Sequence, residues 1–202
     1  MSTYLVTSAN AADVGQEVRD NGVGETDCLK YKDNIFFLTC NFTWTQYFSG
    51  NDYIMLQVNE IFDGDDYEID LEGFDSWEGL FQIDPKVDWD NAPVIKHVHV
   101  IGGTISFNGG FIVQGNQKNF IVDSCSSSGT IRGRTHCDDI CTAGGGICGH
   151  ECSGTILLIN CWSTGLIHGI NAGGITGRRF GYDGGQTNIT NCWSETSDQW
   201  NP

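Results

Sequence analysis

The stretch "GGGICGHECSGTILLINCWSTGLIHG" (144–169) is followed almost at once by "GGITGRRFGYDGGQTNITNCWSET" (173–196), and the second text largely repeats the first. Gly145-Gly146-Ile147-Cys148-Gly149 maps onto Gly173-Gly174-Ile175-Thr176-Gly177 at an offset of 28 residues. Asn160-Cys161-Trp162-Ser163 maps onto Asn191-Cys192-Trp193-Ser194 at an offset of 31. Upstream, Cys125 and "GTIRG" at Gly129 match Cys161 and "GLIHG" at Gly165, both at an offset of 36. The copies differ in length because "RTHCDDICTA" and "RRFGYDGGQ" are inserted between equivalent segments. Self-similarity at a period of 20 to 50 residues marks a chain built by stacking one unit on the next.

Each copy holds short runs such as "TILLINCW" and "GLIHG", rich in Ile, Leu and Thr and bounded by glycine. A helix is excluded, because no apolar stripe survives a glycine every four or five residues. The runs read as strands. Strands this short are stable when each pairs with its equivalent in the next copy, about 4.8 Å away. The pattern continues upstream through "YIMLQVNEIFDGDDYEIDLEGFDSWEGLFQI" (53–83) and "VIKHVHVIGGTISFNGGFIVQG" (94–115). The sequence therefore predicts an all-β protein, a right-handed parallel β-helix (solenoid) of about five to seven irregular coils. Glycine is expected at the tight corners, where left-handed backbone angles are needed.

Residues 1–52 stand outside the repeats and read as an N-terminal cap with aromatic strands, with the β-helix over 53–202. "SANAADVGQEVRDNG" (8–22) predicts a short capping helix, with Ser8 or Asn10 as N-cap, Ala12, Val14 or Val18 facing inward and Gly22 as the stop. "NIFFLTCNFTWTQYF" (34–48) reads as one or two aromatic strands over the first coil. At the far end Trp193 and Trp200 are placed to close the stack or to meet a partner.

The 202 residues carry 26 Asp and Glu against 10 Lys and Arg, a net charge of −16. Residues 1–90 hold 19 acidic and 4 basic residues, whereas 91–202 hold 7 and 6. That balance argues against a nucleic-acid partner and against an anionic membrane surface, both of which need clustered Lys and Arg. No run approaches the length of a membrane span, and "MSTYLVTSANAADVG" (1–15) predicts no Sec-type signal. "NFT" at Asn41 and "NIT" at Asn188 fit the glycosylation pattern, which carries weight only in a secreted chain.

The segments "GGICG", "GTILLINCWSTGLIHG" and "GGITG" resemble GLUG-type β-helix repeats, over roughly residues 53–196. Cys- and Gly-rich chains of this kind also resemble uncharacterised β-helix proteins of large amoeba-infecting DNA viruses. The resemblance implies a non-catalytic structural or surface protein, a minor capsid or capsid-decorating component of a virion. It implies protein partners in an assembly, the major capsid protein among them, with a homotrimer through aromatic faces as one arrangement. The alternatives are an extracellular polysaccharide-binding adhesin with a glycan ligand, or a β-helical polysaccharide lyase or hydrolase. No cofactor and no catalytic residue are expected.

Nine cysteines leave at least one unpaired if all the others bond. Cys137, Cys141, Cys148 and Cys152 form the densest cluster, spaced C-x3-C-x6-C-x3-C, with His136 and His150 beside them. Two disulfides stapling an inserted loop, free thiols, and a zinc knuckle all fit, although zinc modules favour C-x2-C pairs. Cys125, Cys161 and Cys192 hold equivalent repeat positions and are expected to stack as a ladder of small buried thiols. Cys28 and Cys40 are placed to pair across a turn. His97 and His99 alternate in "KHVHV" and are expected on one face, and "DGDDYEID" (63–70) offers oxygen ligands without the EF-hand order. Asp138-Asp139 followed by Gly149-His150 faintly resembles the paired aspartates and Gly-His of β-helical glycosidases. The 11-residue separation is shorter than a full coil, and that family's asparagine-aspartate motif and basic clamp are missing. Arg132, Arg134, Arg178 and Arg179 are the cations that an acidic sugar would need.

Overall fold

The computed structural model describes residues 13–23, 27–46, 48, 52–75, 77–105, 109–132, 144–168 and 172–198. One α-helix, α1 (Val14–Asn21), precedes the strands β1 (Leu29–Lys32), β2 (Ile35–Leu38), β3 (Phe42–Thr43), β4 (Ile54–Leu56) and β5 (Ile61–Asp63). Then come β6 (Glu68–Asp70), β7 (Phe81–Ile83), β8 (Val94–Lys96), β9 (His99–Ile105) and β10 (Lys118–Asp123). The last five are β11 (Ser126–Arg132), β12 (Ser153–Ile159), β13 (Trp162–His168), β14 (Thr187–Thr190) and β15 (Trp193–Asp198). Single 3₁₀ turns occupy Trp44–Gln46 and Trp89–Asn91.

These strands form three sheets, with orders β1-β2-β5-β8-β10-β12-β14, β15-β13-β11-β9-β6-β3 and β4-β7. This corrects the expected right-handed parallel β-helix: the described residues make a mixed, multi-sheet β fold with one α-helix. The finding that overturns it is the sheet arrangement, three separate sheets of which the first is mixed. β1 and β2 pair antiparallel, Leu29 with Leu38 and Lys32 with Ile35. Asp33 and Asn34 join them with φ of 54° and 64°, the left-handed values of a two-residue hairpin turn. A two-residue loop can connect only antiparallel neighbours. The sheets are also unequal, since the third is a single strand pair continued by isolated bridges Phe81–Val113, Val113–Cys148 and Cys148–Thr176.

The remaining strand pairs are parallel, and they join the sequence copies to one another. Gly145 bridges Gly173, Gly129 pairs with Gly165 and Trp162 with Trp193. Side chains at one register position line up across the first sheet: Phe36, Phe62, Ile95, Val122, Leu158 and Ile189. The first five are fully buried, and burial of each contributes about 1.5–3 kcal/mol. Ile189, on the edge strand β14, is 48% exposed. The corresponding line in the second sheet runs Phe42, Ile69, Val100, Ser127, Ser163 and Ser194, so bulk gives way to serine toward the C-terminal copies.

Serine makes room for glycine backbone there. A Cβ on Gly146 would lie 2.0 Å from the Gly174 carbonyl oxygen and 2.2 Å from Ser163 Oγ. Ser127 Oγ is satisfied in the same place, 2.6 Å from the Gly146 oxygen and 3.0 Å from Ser163 Oγ. Glycine therefore serves close approach. The corners before the second sheet are turned by other residues: Asp66, His97, Ser124, Asn160 and Asn191 all sit at φ between 51° and 61°. Short polar side chains tolerate this region better than most and tie it down by local hydrogen bonds.

α1 begins at Asp13, whose carboxylate accepts from the Gly15 amide at 3.0 Å, and stops at Gly22 with φ of 75°. The N-cap is thus Asp13; Ser8, Asn10 and Ala12 lie outside the described residues. Val14 and Val18 are buried against β4 and β1. Arg19, on the same helix, forms a bidentate pair with Glu60, Nε–Oε1 and Nη2–Oε2 both 2.7 Å. Tyr31 donates to Glu60 Oε1 at 3.0 Å, and the Gln57 amide donates to Oε2 at 2.8 Å. Burial opposes the Arg19 charge, but Glu60 and Asp13 outweigh it and raise its pKa. Cys28 and Cys40 are disulfide-bonded and close the hairpin.

Candidate functional site

Three groups of chemically capable side chains emerge from this framework. The first is the set of thiols. Cys125, Cys161 and Cys192 each sit one residue before the in-register trio Ser126, Trp162 and Trp193, so parallel pairing brings them into neighbouring strands. Each repeats the same contacts. Cys125 Sγ donates to Ile95 O at 3.7 Å, Cys161 Sγ to Val122 O at 3.6 Å and Cys192 Sγ to Leu158 O at 3.5 Å. Cys148 and Cys152 are also buried and free, with Cys152 Sγ 3.4 Å from Gln114 O. Cys137, Cys141, His136, Asp138, Asp139 and Arg134 lie outside the described residues, so the four-cysteine cluster is seen only in its second half.

Burial dominates the chemistry of these thiols. It pushes Cys125 and Cys148 well above the ordinary thiol range, and Cys152 and Cys161 up to about 12. A thiol held protonated is a poor nucleophile and a poor metal ligand. Among the described residues no group of three or more His, Cys, Asp or Glu is arranged to hold a metal ion.

The second group is centred on His99. "KHVHV" is not one strand: β8 ends at Lys96, His97 turns the corner at φ 52°, and β9 begins at His99. The two histidines therefore have different partners. His97 Nδ1 lies 3.0 Å from Asp63 Oδ1, and Lys96 Nζ lies 2.8 Å from Asp63 Oδ2. His99 Nδ1 lies 2.6 Å from Ser126 Oγ, and its Nε2 lies 3.3 Å from Asp66 Oδ1. The indole of Trp162 tilts against the His99 ring with centroids 5.4 Å apart. A serine, a histidine and an aspartate in contact have the parts of a base-activated hydroxyl. Acyl transfer also needs donors at the developing oxyanion. The Ser126 amide is engaged with Val98 O at 2.9 Å, as the ladder requires. The cluster links β9 to β11 and to the Asp66 corner before β6. Sequence reading could find His99, but Asp66 and Ser126 are 33 and 27 residues away and only strand pairing brings them to it.

The third group is His150, Glu151 and Arg179. Glu151 Oε1 accepts from Arg179 Nη1 at 2.7 Å and lies 3.4 Å from His150 Nε2. The Arg179 hydrogen bond holds the Glu151 carboxyl below the usual range, whereas burial lowers the His150 pKa. His150 Nδ1 is buried with no hydrogen-bond partner among the described residues. Arg179 is thus committed to a carboxylate. Arg132 belongs to β11, and Arg178 sits beside Arg179 near His150.

A cleft lined by Gln82, Gln114, Asn116 and Gln117 runs beside β7, with a volume of about 290 Å³. Its amides are largely satisfied within the protein. Gln82 Nε2 donates to Gln114 Oε1 at 2.7 Å, Gln114 Nε2 to Gly79 O at 3.0 Å, and Gln117 accepts from the Ile83 amide at 2.7 Å.

No protein-family model, no curated protein and no solved structure matches this chain.

Proposed function

We propose that the protein is a non-catalytic structural component of a multi-protein surface. The setting suggested by the likeness of its repeats to viral ones is a virion, as a minor or decorating component of the shell. The observation that carries this reading is the use made of polar side chains. Asn160 Nδ2 donates to Asp123 Oδ1 at 3.3 Å, and Asn191 Nδ2 donates to Asn160 Oδ1 at 3.2 Å, each one copy along. Ser127–Ser163, Glu151–Arg179, Asp63–Lys96 and Asp66–His99 do the same. Groups that an enzyme would point at a substrate here tie one copy to the next, which makes the body rigid. The net charge of −16 keeps such a strand-rich surface soluble and disfavours edge-to-edge association.

Partners in this reading are other shell proteins, the major capsid protein first. Peptide mapping and cross-linking of purified particles test it. Peptides of this chain should survive salt washing of the particles, cross-linked to shell proteins. Particles that contain none of it would refute the proposal.

A further inference from the structure

Beyond a structural role, we infer that the groove beneath Trp89 is a binding site for a neutral oligosaccharide. The groove, about 440 Å³, lies on the outer face of β12 and β14 and is lined by Trp89, Thr155, Leu157, Gln186, Thr187 and Asn188. Its size falls within the roughly 300–1,000 Å³ of small-molecule sites. Trp89 comes from the 3₁₀ turn Trp89–Asn91 and is half-buried, so an indole forms part of the wall. Leu157 and Asn188 are register partners on adjacent strands and form the floor.

The lining chemistry selects the ligand. An indole with a leucine offers an apolar surface for the C–H face of a sugar ring. The Thr155 hydroxyl and the Gln186 and Asn188 carboxamides offer donors and acceptors beside it. These polar groups differ from those of the Gln82 cleft, whose amides bond one another. Gln186 and Asn188 are exposed and Thr155 and Trp89 half-buried, so their polar atoms are open to a ligand. The Asn188 oxygen is engaged only by Thr190 Oγ1, at 2.8 Å, which leaves its amide nitrogen to a ligand. Among the described residues no charged one lines the groove, and the chain carries −16 overall. A polyuronate would meet neither a counter-charge nor a favourable field, so the ligand is an uncharged sugar.

The test is isothermal titration calorimetry of the whole chain with neutral hexaoses (cello-, xylo-, manno- and chito-oligomers), and with oligogalacturonate as the charged comparison. At least one neutral oligomer should bind, with an affinity little changed by salt. Trp89→Ala and Gln186→Ala should each weaken it by about tenfold or more, as loss of an aromatic platform or of a hydrogen-bonding anchor does. Trp193→Ala, on the edge strand β15 of the other sheet, should not. Should Trp89→Ala fail to fold, the exposed pair Gln186→Ala and Asn188→Ala carries the test, with melting temperature as the check. Absence of binding by every neutral oligomer at millimolar concentration overturns the inference. So does undiminished binding by folded groove variants, or a preference for oligogalacturonate.

Discussion

Arg19 on the helix and Glu60 before β5 lie 41 residues apart in the chain and meet as a buried bidentate ion pair. The same guanidinium stacks 4.9 Å from the centroid of the Phe36 ring. It also donates to the Met55 carbonyl oxygen. α1 is thereby fastened to three strands by one side chain. Removing a single partner leaves the other charged and dry. Glu60→Ala should cost about 3–5 kcal/mol in urea unfolding, and the double replacement Arg19→Met with Glu60→Met should restore most of it. Equal losses in the single and double variants would show that the pair is not coupled.

Left-handed corners give a second prediction. Asn160 sits at φ 52° and also links Asp123 to Asn191. Asn160→Gly removes the links and keeps the backbone conformation comfortable, whereas Asn160→Ala loses both. The alanine variant should be less stable than the glycine variant by about 1 kcal/mol, measured by chemical denaturation.

Gly146 tests close approach rather than backbone angle. Its added Cβ would overlap the Gly174 oxygen and Ser163 Oγ, and the first of these is backbone that cannot swing away. Gly146→Ala should destabilise by roughly 3 kcal/mol, the upper end of ordinary overpacking. Adding Ser163→Ala should recover only part of the loss, because the carbonyl contact remains. A melting temperature equal to that of the parent protein would contradict the packing described.

Acid should weaken the fold in two stages. Burial sets the His150 pKa below its ordinary 6.5, so between the two values the unfolded chain binds the extra proton. This contribution is complete above about pH 6.5 and is lost as pH falls toward the folded value. Burial raises the Asp63 carboxyl, but the hydrogen bonds from Lys96 and His97 outweigh it and set the pKa below 3.8. Its contribution is lost only in stronger acid. His150→Gln should flatten the stability profile just below pH 6.5 and leave unchanged the loss in stronger acid, below pH 3.8, that belongs to Asp63. An unchanged slope would rule His150 out.

Thiol reactivity should follow burial. Cys125, Cys148, Cys152 and Cys161 are buried, whereas Cys192 on the edge of the stack is only half-buried. Native-state alkylation followed by peptide mass spectrometry should label Cys192 first among these five. Cys28 and Cys40 should stay unlabelled until reduced, since they share a disulfide. Labelling of Cys161 ahead of Cys192 would reverse the order that the geometry requires.

The repeat offsets 28, 31 and 36 can be read directly from the text, and the strands pair at those offsets. Repeated apolar text reports which segments are equivalent, and equivalent segments share register. The antiparallel hairpin was less visible. Asp33-Asn34 is a turn signal, but it lies outside the repeats, and with residues 1–52 set apart as a cap nothing in the text showed that their hairpin joins the seven-stranded sheet. Corner chemistry was legible only in part: Gly73, Gly102, Gly154, Gly181 and Gly184 do take positive φ, yet Asp66, His97, Ser124, Asn160 and Asn191 hold the corners before the second sheet. The glycines that dominate the text sit where neighbouring backbones nearly touch, and a sequence does not distinguish the two uses.

Composition, charge asymmetry and the spacing of repeated segments are properties of neighbours along the chain, and the amino-acid text alone determined them. It also settled that strands, not helices, carry the core. Only the tertiary structure decided that Arg19 meets Glu60, that Ser126 and Asp66 flank His99, and that Trp89, Thr155 and Asn188 line one groove. Those meetings depend on how separate sheets are set against one another. That arrangement is fixed by the summed packing of many side chains, not by any local pattern.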